Sequence, residues 1–202
     1  MKDRTIMTTA MEKWEKEDGV KFLHQIGIQE GQAVLDFGAR VGHYTIPAAL
    51  AVGMSGRIYA VDKERAALDE LTRKAERLNL TNVQIVRTNG RLTLDFKDES
   101  IDVVLLYDVL HYLPRDQREQ LYGEIHRLLK RGGWISVYPK HVIEDAPLDQ
   151  FRHLHWQDVR KEIEAQCFRL LEKHCDIISH DDFLMQGCVF NFIKTPRTER
   201  AG

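Results

Sequence analysis

Short apolar runs alternate with amphipathic stretches along the first two thirds of the chain. The apolar runs predict buried strands at 33–37, 57–61, 83–87, 101–106 and 134–138. The amphipathic stretches repeat apolar residues every three to four positions and predict helices at 8–26, 44–52, 64–78 and 115–129. Regular alternation of strand and helix is typical of a doubly wound α/β fold, in which helices cover both faces of a parallel sheet.

The pattern changes after Pro139. A helix is predicted around 156–166, followed by an antiparallel hairpin whose strands, 168–179 and 187–194, are joined by the turn-forming His180-Asp181-Asp182. We interpret residues 1–202 as a single domain. Residues 1–30 form an N-terminal helical cap over the ligand-binding end of the sheet, and the polar residues 195–202 are predicted to be a disordered tail.

Composition and charge narrow the range of functions. Lys and Arg number 29 and Asp and Glu number 31, giving a net charge of −2, which argues against a nucleic-acid partner. The longest apolar stretch, 46–52, is far shorter than the roughly 20 residues of a membrane span, and the charged N-terminus indicates no signal peptide. We therefore expect a cytoplasmic protein whose three cysteines are reduced thiols.

Candidate chemistry lies where the first two strands end, because ligands of open parallel sheets bind at the carboxyl ends of the strands. The first strand runs into Asp36-Phe37-Gly38-Ala39-Arg40-Val41-Gly42, and the second ends at Asp62, 24 residues after Gly38. An acid at that distance is positioned to bind the ribose hydroxyls of a nucleoside. A dinucleotide fingerprint would need glycine at 40 and 43, where this chain has Arg40 and His43, so a nicotinamide oxidoreductase is disfavoured.

These residues resemble the motifs of class I S-adenosylmethionine-dependent methyltransferases, in particular the small-molecule branch with quinone-type and arsenite-type members. Asp36, Gly38 and Gly42 match the D/E-x-G-x-G-x-G motif, and Asp62 matches the ribose-binding acid. Further matches follow in order: Ser100-Ile101-Asp102-Val103-Val104, Leu110-His111-Tyr112-Leu113 and Leu128-Leu129-Lys130-Arg131-Gly132-Gly133. The resemblance covers roughly residues 30–140 and implies a seven-stranded Rossmann-like sheet, mostly parallel with an antiparallel last strand.

The resemblance implies S-adenosyl-L-methionine as cofactor and a set of residues that bind it. These are Asp36, Gly38, Ala39, Gly42, Tyr44, Asp62, Lys63, Asn89, Gly90 and Tyr107. Two positions depart from the family pattern: Arg40 replaces the middle glycine, and Asn89-Gly90-Arg91 replaces the turn that carries an adenine-binding acid. The simpler alternatives are that Asp62 caps the following helix and that Asp36 only accepts hydrogen bonds from turn amides.

The function that the resemblance implies is methyl transfer to a small-molecule acceptor. Such a transfer mainly requires alignment of the nucleophile with the methyl group and exclusion of water, so a base is needed only for an acceptor that carries a proton. Asp108 and His111 are the predicted catalytic residues, and Tyr138 and His141 are further candidates. The alternative for His111 is a packed residue at the start of a helix, and the alternative for Asp108 is a cap.

Two other interpretations stay open at this point. The departures at Arg40 and Asn89 fit a non-catalytic S-adenosylmethionine-binding or regulatory module with the same fold. His141, His153, His155, His174 and His180 follow no recurrent metal-ligand spacing, so we expect no metal site and solvated histidines. The sequence leaves the oligomeric state open.

Overall fold

The computed structural model describes residues 9–197 of the chain. The helices are α1 (Gly19–Gln25), α2 (Thr45–Val52), α3 (Arg65–Arg77), α4 (Arg115–Leu128) and α5 (Trp156–Glu164). The strands are β1 (Ala33–Phe37), β2 (Arg57–Asp62), β3 (Val83–Arg87), β4 (Ile101–Tyr107), β5 (Leu129–Tyr138), β6 (Phe168–His180) and β7 (Phe183–Lys194).

Within the described range, seven strands form one sheet in the order β3-β2-β1-β4-β5-β7-β6. The pairs β1–β2, β2–β3 and β4–β5 are parallel, whereas β7 pairs with β5 in the antiparallel direction. This arrangement confirms the predicted doubly wound, mostly parallel sheet. No helix within residues 9–197 combines the length and the apolar character that crossing a membrane would require.

The chain divides into two compact units. One comprises the residues up to Arg91 together with His174–Val189, and the other comprises Leu92–Lys173 together with the residues from Phe190 onward.

The first unit is built on the parallel strands β1, β2 and β3. Helix α3 buries a stripe at Leu68, Leu71 and Ala75, because positions three and four residues apart lie on one helical face. That stripe packs against Ala39, Ile46 and Ala60 in one apolar cluster, which fixes the helix beside the carboxyl ends of the strands.

The N-terminal segment of the first unit is helical but not uniformly α-helical. Residues 9–13 are α-helical, Trp14–Asp18 form a π-turn, and α1 follows. The backbone N–H of Gly19 donates to the carbonyl of Trp14, and a Cβ at Gly19 would lie 2.7 Å from that oxygen. Periodicity predicts one continuous helix over 8–26 and misses this turn, which glycine permits. Residue 8 and the rest of the predicted cap before it lie outside the described residues.

The second unit corrects the predicted boundary between α4 and β5. Helix α4 ends at Leu128 and β5 begins at once at Leu129, so Gly132 and Gly133 do not end the helix. Leu129 pairs with Ile101, and the register then shifts so that Trp134 pairs with Val103. Gly132, at φ +77°, lies within the irregular stretch, which explains why glycines occur inside a strand.

The hairpin of β6 and β7 turns at Asp181 and Asp182, close to the predicted turn. Its strands carry a disulfide between Cys175 and Cys188, so the prediction of three reduced thiols is wrong for this pair. Among the described residues, Cys167 is a free thiol. Beyond β7, the N–H of Thr195 donates to the carbonyl of Cys167, and the carbonyl of Thr195 is hydrogen-bonded to Nε2 of His126. Residues 198–202 of the predicted tail lie outside the described residues.

Candidate functional site

In the first unit, backbone hydrogen bonds join the loop between β1 and α2, residues 38–44, to the end of β2. The N–H groups of Gly38 and Ala39 donate to the carbonyl of Val61 at the end of β2. Gly42 adopts φ +90°, and a Cβ there would come within 2.3 Å of the Leu71 side chain on α3. Gly42 is therefore required both for the turn and for the close packing of α3. We call residues 38–44 the glycine loop.

Asp36 is a buried carboxylate, 3% exposed, at the end of β1. Its Oδ2 accepts a 2.6 Å hydrogen bond from the Thr45 hydroxyl at the start of α2, and its Oδ1 accepts none from any residue in the described range. Burial, with a smaller contribution from the charge of Asp62, raises the pKa of Asp36 from 3.8 to about 6, against the opposing effect of the Thr45 hydrogen bond. A cationic ligand group at Oδ1 would relieve this cost.

Asp62 accepts a backbone hydrogen bond on each oxygen of its carboxylate. Its Oδ1 accepts from the N–H of Glu64 before α3, and its Oδ2 accepts from the N–H of Arg40 in the glycine loop. The N-cap of α3 is Glu64, so Asp62 is not the helix cap of the simpler alternative, although it accepts the N–H of that cap residue. A carboxylate oxygen can accept two hydrogen bonds, and each oxygen of Asp62 already accepts one from the backbone. Each oxygen therefore has capacity for one more, which suits the two hydroxyls of a ribose.

Arg40, which stands where the family pattern has its middle glycine, directs its side chain to the hairpin turn. It adopts φ +44°, the left-handed conformation for which glycine is preferred, and its guanidinium pairs with Asp181 in the hairpin turn. The side chain is half-exposed. Sequence reasoning singled out Arg40 as a departure but missed its partner, which lies 141 residues away.

The remaining predicted cofactor residues differ in accessibility. Tyr44 is buried, with its ring edge on Trp14 and its hydroxyl donating to the carbonyl of Ser179 at 2.7 Å. Lys63, Asn89 and Gly90 are exposed beyond the ends of β2 and β3. The Asn89 side-chain oxygen accepts from the N–H of Arg91 in a tight turn, which leaves its amide N–H₂ for a ligand.

Predicted catalytic residues come together at the ends of β4 and β5 in the second unit. Oδ1 of Asp108 lies 3.5 Å from Nδ1 of His111 and 3.6 Å from Nε2 of His141, and the two imidazole rings are 4.5 Å apart. Burial, followed by the charges of Asp145 and Asp108, raises the pKa of Tyr138. Tyr107, predicted to contact the cofactor, is buried with its hydroxyl 2.7 Å from the Ser136 hydroxyl.

The proton positions on His141 follow from its partners. Its Nδ1 lies 2.9 Å from the carbonyl of Ala146, and a carbonyl only accepts, so Nδ1 carries the proton. The other ring nitrogen, Nε2, faces Oδ1 of Asp108. His111 is 1% exposed, whereas the side chains of His141 and Asp108 are 13% and 18% exposed.

A buried ion pair supports the turn that carries His111. Arg118 on α4 makes two hydrogen bonds to Glu162 on α5, donates a third to the carbonyl of Leu113, and lies over the ring of Phe151. Leu113 follows the 3₁₀ turn Leu110–Tyr112, so the guanidinium ties that turn to two helices. Sequence reasoning missed this network because the amphipathic pattern of α4 marks Arg118 as a surface residue.

The expectation of solvated histidines holds for some positions only. His153 and His155 are exposed, whereas His141, His174 and His180 are partly buried. The prediction is therefore wrong for these three.

The first unit meets the chemical requirements of S-adenosylmethionine. An ammonium group needs a carboxylate acceptor, which the buried Asp36 supplies, and ribose hydroxyls need paired acceptors, which Asp62 supplies. The glycine loop lies beside both residues. The residues present fit this cofactor.

Comparisons with known proteins agree with this geometry. Residues 34–133 match the family described as "Methyltransferase domain". A probable cobalt-precorrin-6B C(15)-methyltransferase (decarboxylating) of Sulfurisphaera tokodaii is 26% identical over 61% of this chain and 61% of its own length. A demethylmenaquinone methyltransferase of Lactobacillus johnsonii is 28% identical over 61% of this chain and 48% of its own length. The chain thus spans less than two thirds of these curated relatives.

Solved structures show the same fold. A SAM-dependent methyltransferase from Aquifex aeolicus superposes with a TM-score of 0.70 at 19% identity, over 94% of this chain and 96% of that one. The family match spans β1 to the start of β5 and includes the glycine loop, Asp62 and Asp108. The chain belongs to the class I S-adenosylmethionine-dependent methyltransferases.

Proposed function

We propose that this chain transfers a methyl group from S-adenosylmethionine to a small-molecule acceptor. The observation that carries the proposal is the pair of buried carboxylates, Asp36 and Asp62, at the ends of the adjacent strands β1 and β2. Their accepting oxygens suit an ammonium group and two ribose hydroxyls. Bound S-adenosylmethionine supplies a methyl group that its sulfonium already activates, so the protein's work is alignment, exclusion of water and management of the acceptor's proton.

Asp108 and His141 are the groups that we assign to that proton. Bound S-adenosylmethionine would supply the methyl group, and an acceptor atom that carries a proton would have to lose that proton as it takes up the methyl group. The acceptor's proton passes to Nε2 of His141, and the Asp108 carboxylate stabilises the resulting imidazolium. His111 is almost fully buried, and its Nδ1 lies 3.5 Å from Oδ1 of Asp108, so we assign it a positioning role in this proposal.

The acceptor class follows from charge and from the relatives. A net charge of −2 does not favour an RNA or DNA acceptor. The names of the relatives from Lactobacillus johnsonii and Sulfurisphaera tokodaii denote methylation of a quinone precursor and a cobalt-precorrin. A proton-accepting pair such as Asp108 and His141 suits a weakly acidic O–H, as in a phenol or hydroquinone.

A second candidate is a non-catalytic module that binds S-adenosylmethionine without turnover. Asn89 favours this candidate, because an exposed amide attracts the amino group of adenine less strongly than the carboxylate of the family's adenine-binding acid would. The two functions share the cofactor site and differ in whether any acceptor becomes methylated.

The discriminating experiment is incubation with methyl-labelled S-adenosylmethionine and separate panels of phenols, hydroquinones, total RNA and protein. We expect label in a small molecule and a large loss of that label in His141→Gln. The control His153→Gln, which changes an exposed histidine, should incorporate as much label as the wild type. Cofactor binding without labelled product in any panel would support the binding module, and label in RNA or protein would contradict the proposed acceptor class.

A further inference from the structure

The tip of the β6–β7 hairpin contacts the glycine loop in the first unit. Asp181 pairs with the Arg40 guanidinium, and Asp182 lies 3.1 Å from Nε2 of His43. The carbonyl of Ser179 accepts the buried hydroxyl of Tyr44. We call Ser179, Asp181 and Asp182 the hairpin clamp. These three contacts fall on loop residues that lie between Gly38 and Gly42 or just after them.

The contact to Arg40 compensates for an unfavourable backbone conformation. A left-handed φ is less favourable for a residue with a side chain than for glycine. Arg40 nevertheless holds φ +44°, and in that conformation its N–H donates to Asp62 Oδ2, an atom of the proposed ribose site. The bond from Asp181 to the guanidinium thus stabilises the backbone that orients Asp62.

His43 is held from two sides. Its Nδ1 lies 2.8 Å from Glu15 of the N-terminal segment, which also pairs with Lys74 of α3, and Asp182 faces its Nε2. The glycine loop is thereby bound on one side by the N-terminal segment, which α3 supports, and on the other side by the hairpin tip. Asp181 and Asp182 are exposed, so the hairpin tip is the side that can release.

The disulfide restrains the strands that present the clamp. Cys175 and Cys188 each lie six residues from the nearer residue of the turn Asp181–Asp182, on opposite strands. Most of β6 around Cys175 is exposed, including Lys173, Asp176 and Ile177, so little packing fixes this ribbon besides the disulfide. The exposure of Cys175 also makes the bond accessible to a reductant.

We propose that the hairpin clamp positions the glycine loop for the cofactor through Arg40 and His43, and that the Cys175–Cys188 disulfide makes this positioning sensitive to thiols. Reduction breaks the S–S bond: two electrons and two protons from a dithiol yield two cysteine thiols, and the dithiol becomes a cyclic disulfide. The freed hairpin then holds Arg40 and His43 less firmly. This inference rests on the proposed function only in that the loop binds S-adenosylmethionine.

A double-mutant cycle tests the positioning role. Calorimetric Kd values for S-adenosylhomocysteine are compared for the oxidised wild type, Asp181→Asn, Arg40→Gly and the double variant. Since exposed ion pairs contribute little individually, Asp181→Asn should raise Kd about threefold, and Asp181→Asn with Asp182→Asn about tenfold. In the Arg40→Gly background, Asp181→Asn should change Kd by less than about 1.5-fold, because glycine adopts the turn without a partner. Asp176→Asn, on the same hairpin, is the control for loss of charge.

The thiol sensitivity is tested on the same protein with and without dithiothreitol. Reduced wild type should bind S-adenosylhomocysteine about threefold or more weakly, while Cys175→Ser with Cys188→Ser should bind like the reduced form and ignore the reductant. Thermal unfolding midpoints of all variants, measured in parallel, separate a general loss of stability from a loss of affinity.

The outcomes distinguish the two proposals. If the oxidised wild type binds no S-adenosylhomocysteine, the proposed function fails. If it binds and neither the substitutions nor the reductant changes Kd, or if Asp181→Asn weakens binding equally in the Arg40→Gly background, the clamp is overturned while the proposed function stands.

Discussion

Replacing Asp36 by Asn removes the charge of a carboxyl group that is buried at the end of β1 and keeps its shape. The Asn side-chain oxygen still accepts from Thr45, so the local hydrogen bond survives. The substitution removes the free-energy cost of burying the Asp36 negative charge without a cationic partner. The substitution therefore separates the contribution of Asp36 to folding from its contribution to ligand binding.

The size of the effect follows from the raised pKa of Asp36. In the folded, ligand-free protein this pKa is about 6 against 3.8 for an ordinary aspartate, mainly because of burial. The folded state therefore binds this proton more tightly than the unfolded chain does. Asp36 contributes most to stability below about pH 4, and that contribution is lost as pH rises through about 6. A shift of roughly two units corresponds to about 3 kcal/mol at neutral pH.

We expect Asp36→Asn to raise the free energy of unfolding of the ligand-free protein by about 1–3 kcal/mol near pH 7.5, and by much less near pH 4.5. The same substitution should raise the Kd for S-adenosylmethionine at least about tenfold, because the ammonium group loses a buried charged partner. Urea unfolding followed by circular dichroism measures the first quantity, and calorimetric titration measures the second.

The matched control is Asp102→Asn, which removes a partly exposed aspartate paired with Lys130. It should change stability by at most about 1 kcal/mol and leave cofactor affinity unaltered. A ligand-free Asp36→Asn protein that is less stable than the wild type near pH 7.5, or one that binds S-adenosylmethionine as tightly, would refute the reasoning about this carboxylate.

Three further substitutions test other parts of the structure. Asp62→Ala should weaken S-adenosylhomocysteine binding by about 1–3 kcal/mol, and an unchanged Kd would remove the ribose assignment. Asp108→Asn should lower kcat about 10²-fold or more with little change in cofactor Kd, whereas a change confined to Kd would exclude its role toward the acceptor's proton. Glu162→Gln should destabilise the protein by about 3 kcal/mol in urea unfolding, because it leaves the buried Arg118 charge without its partner, and a wild-type midpoint would contradict this.

Much of the fold could be predicted because its strands are buried and short. The predicted bounds of β1 and β3 coincide with those observed, and β2, β4 and α3 differ by one residue at one or both ends. A buried parallel strand is apolar throughout and flanked by turn residues, so its sequence signal is strong. The end of α4 was less predictable, because Gly132 and Gly133 look like a helix stop but lie in an irregular part of β5.

The residues of the candidate site divide in the same way. Asp36 and Asp62 were predictable because Asp62 ends β2 and Asp36 is the next-to-last residue of β1, which local sequence reveals. The partnership of Arg40 with Asp181 was not, since only the tertiary fold joins residues 141 positions apart. The disulfide left a usable signal, the equal spacing of Cys175 and Cys188 around the turn, which the assumption of reduced thiols concealed.

The most direct single measurement is a calorimetric titration of the oxidised, ligand-free protein with S-adenosylmethionine, its demethylated product and NAD in turn. Binding through Asp36 and Asp62 requires micromolar affinity for the first two ligands and none for NAD, because Arg40 and His43 replace the glycines that a dinucleotide needs. Absence of binding by S-adenosylmethionine and its product would contradict the assignment of these carboxylates to the cofactor.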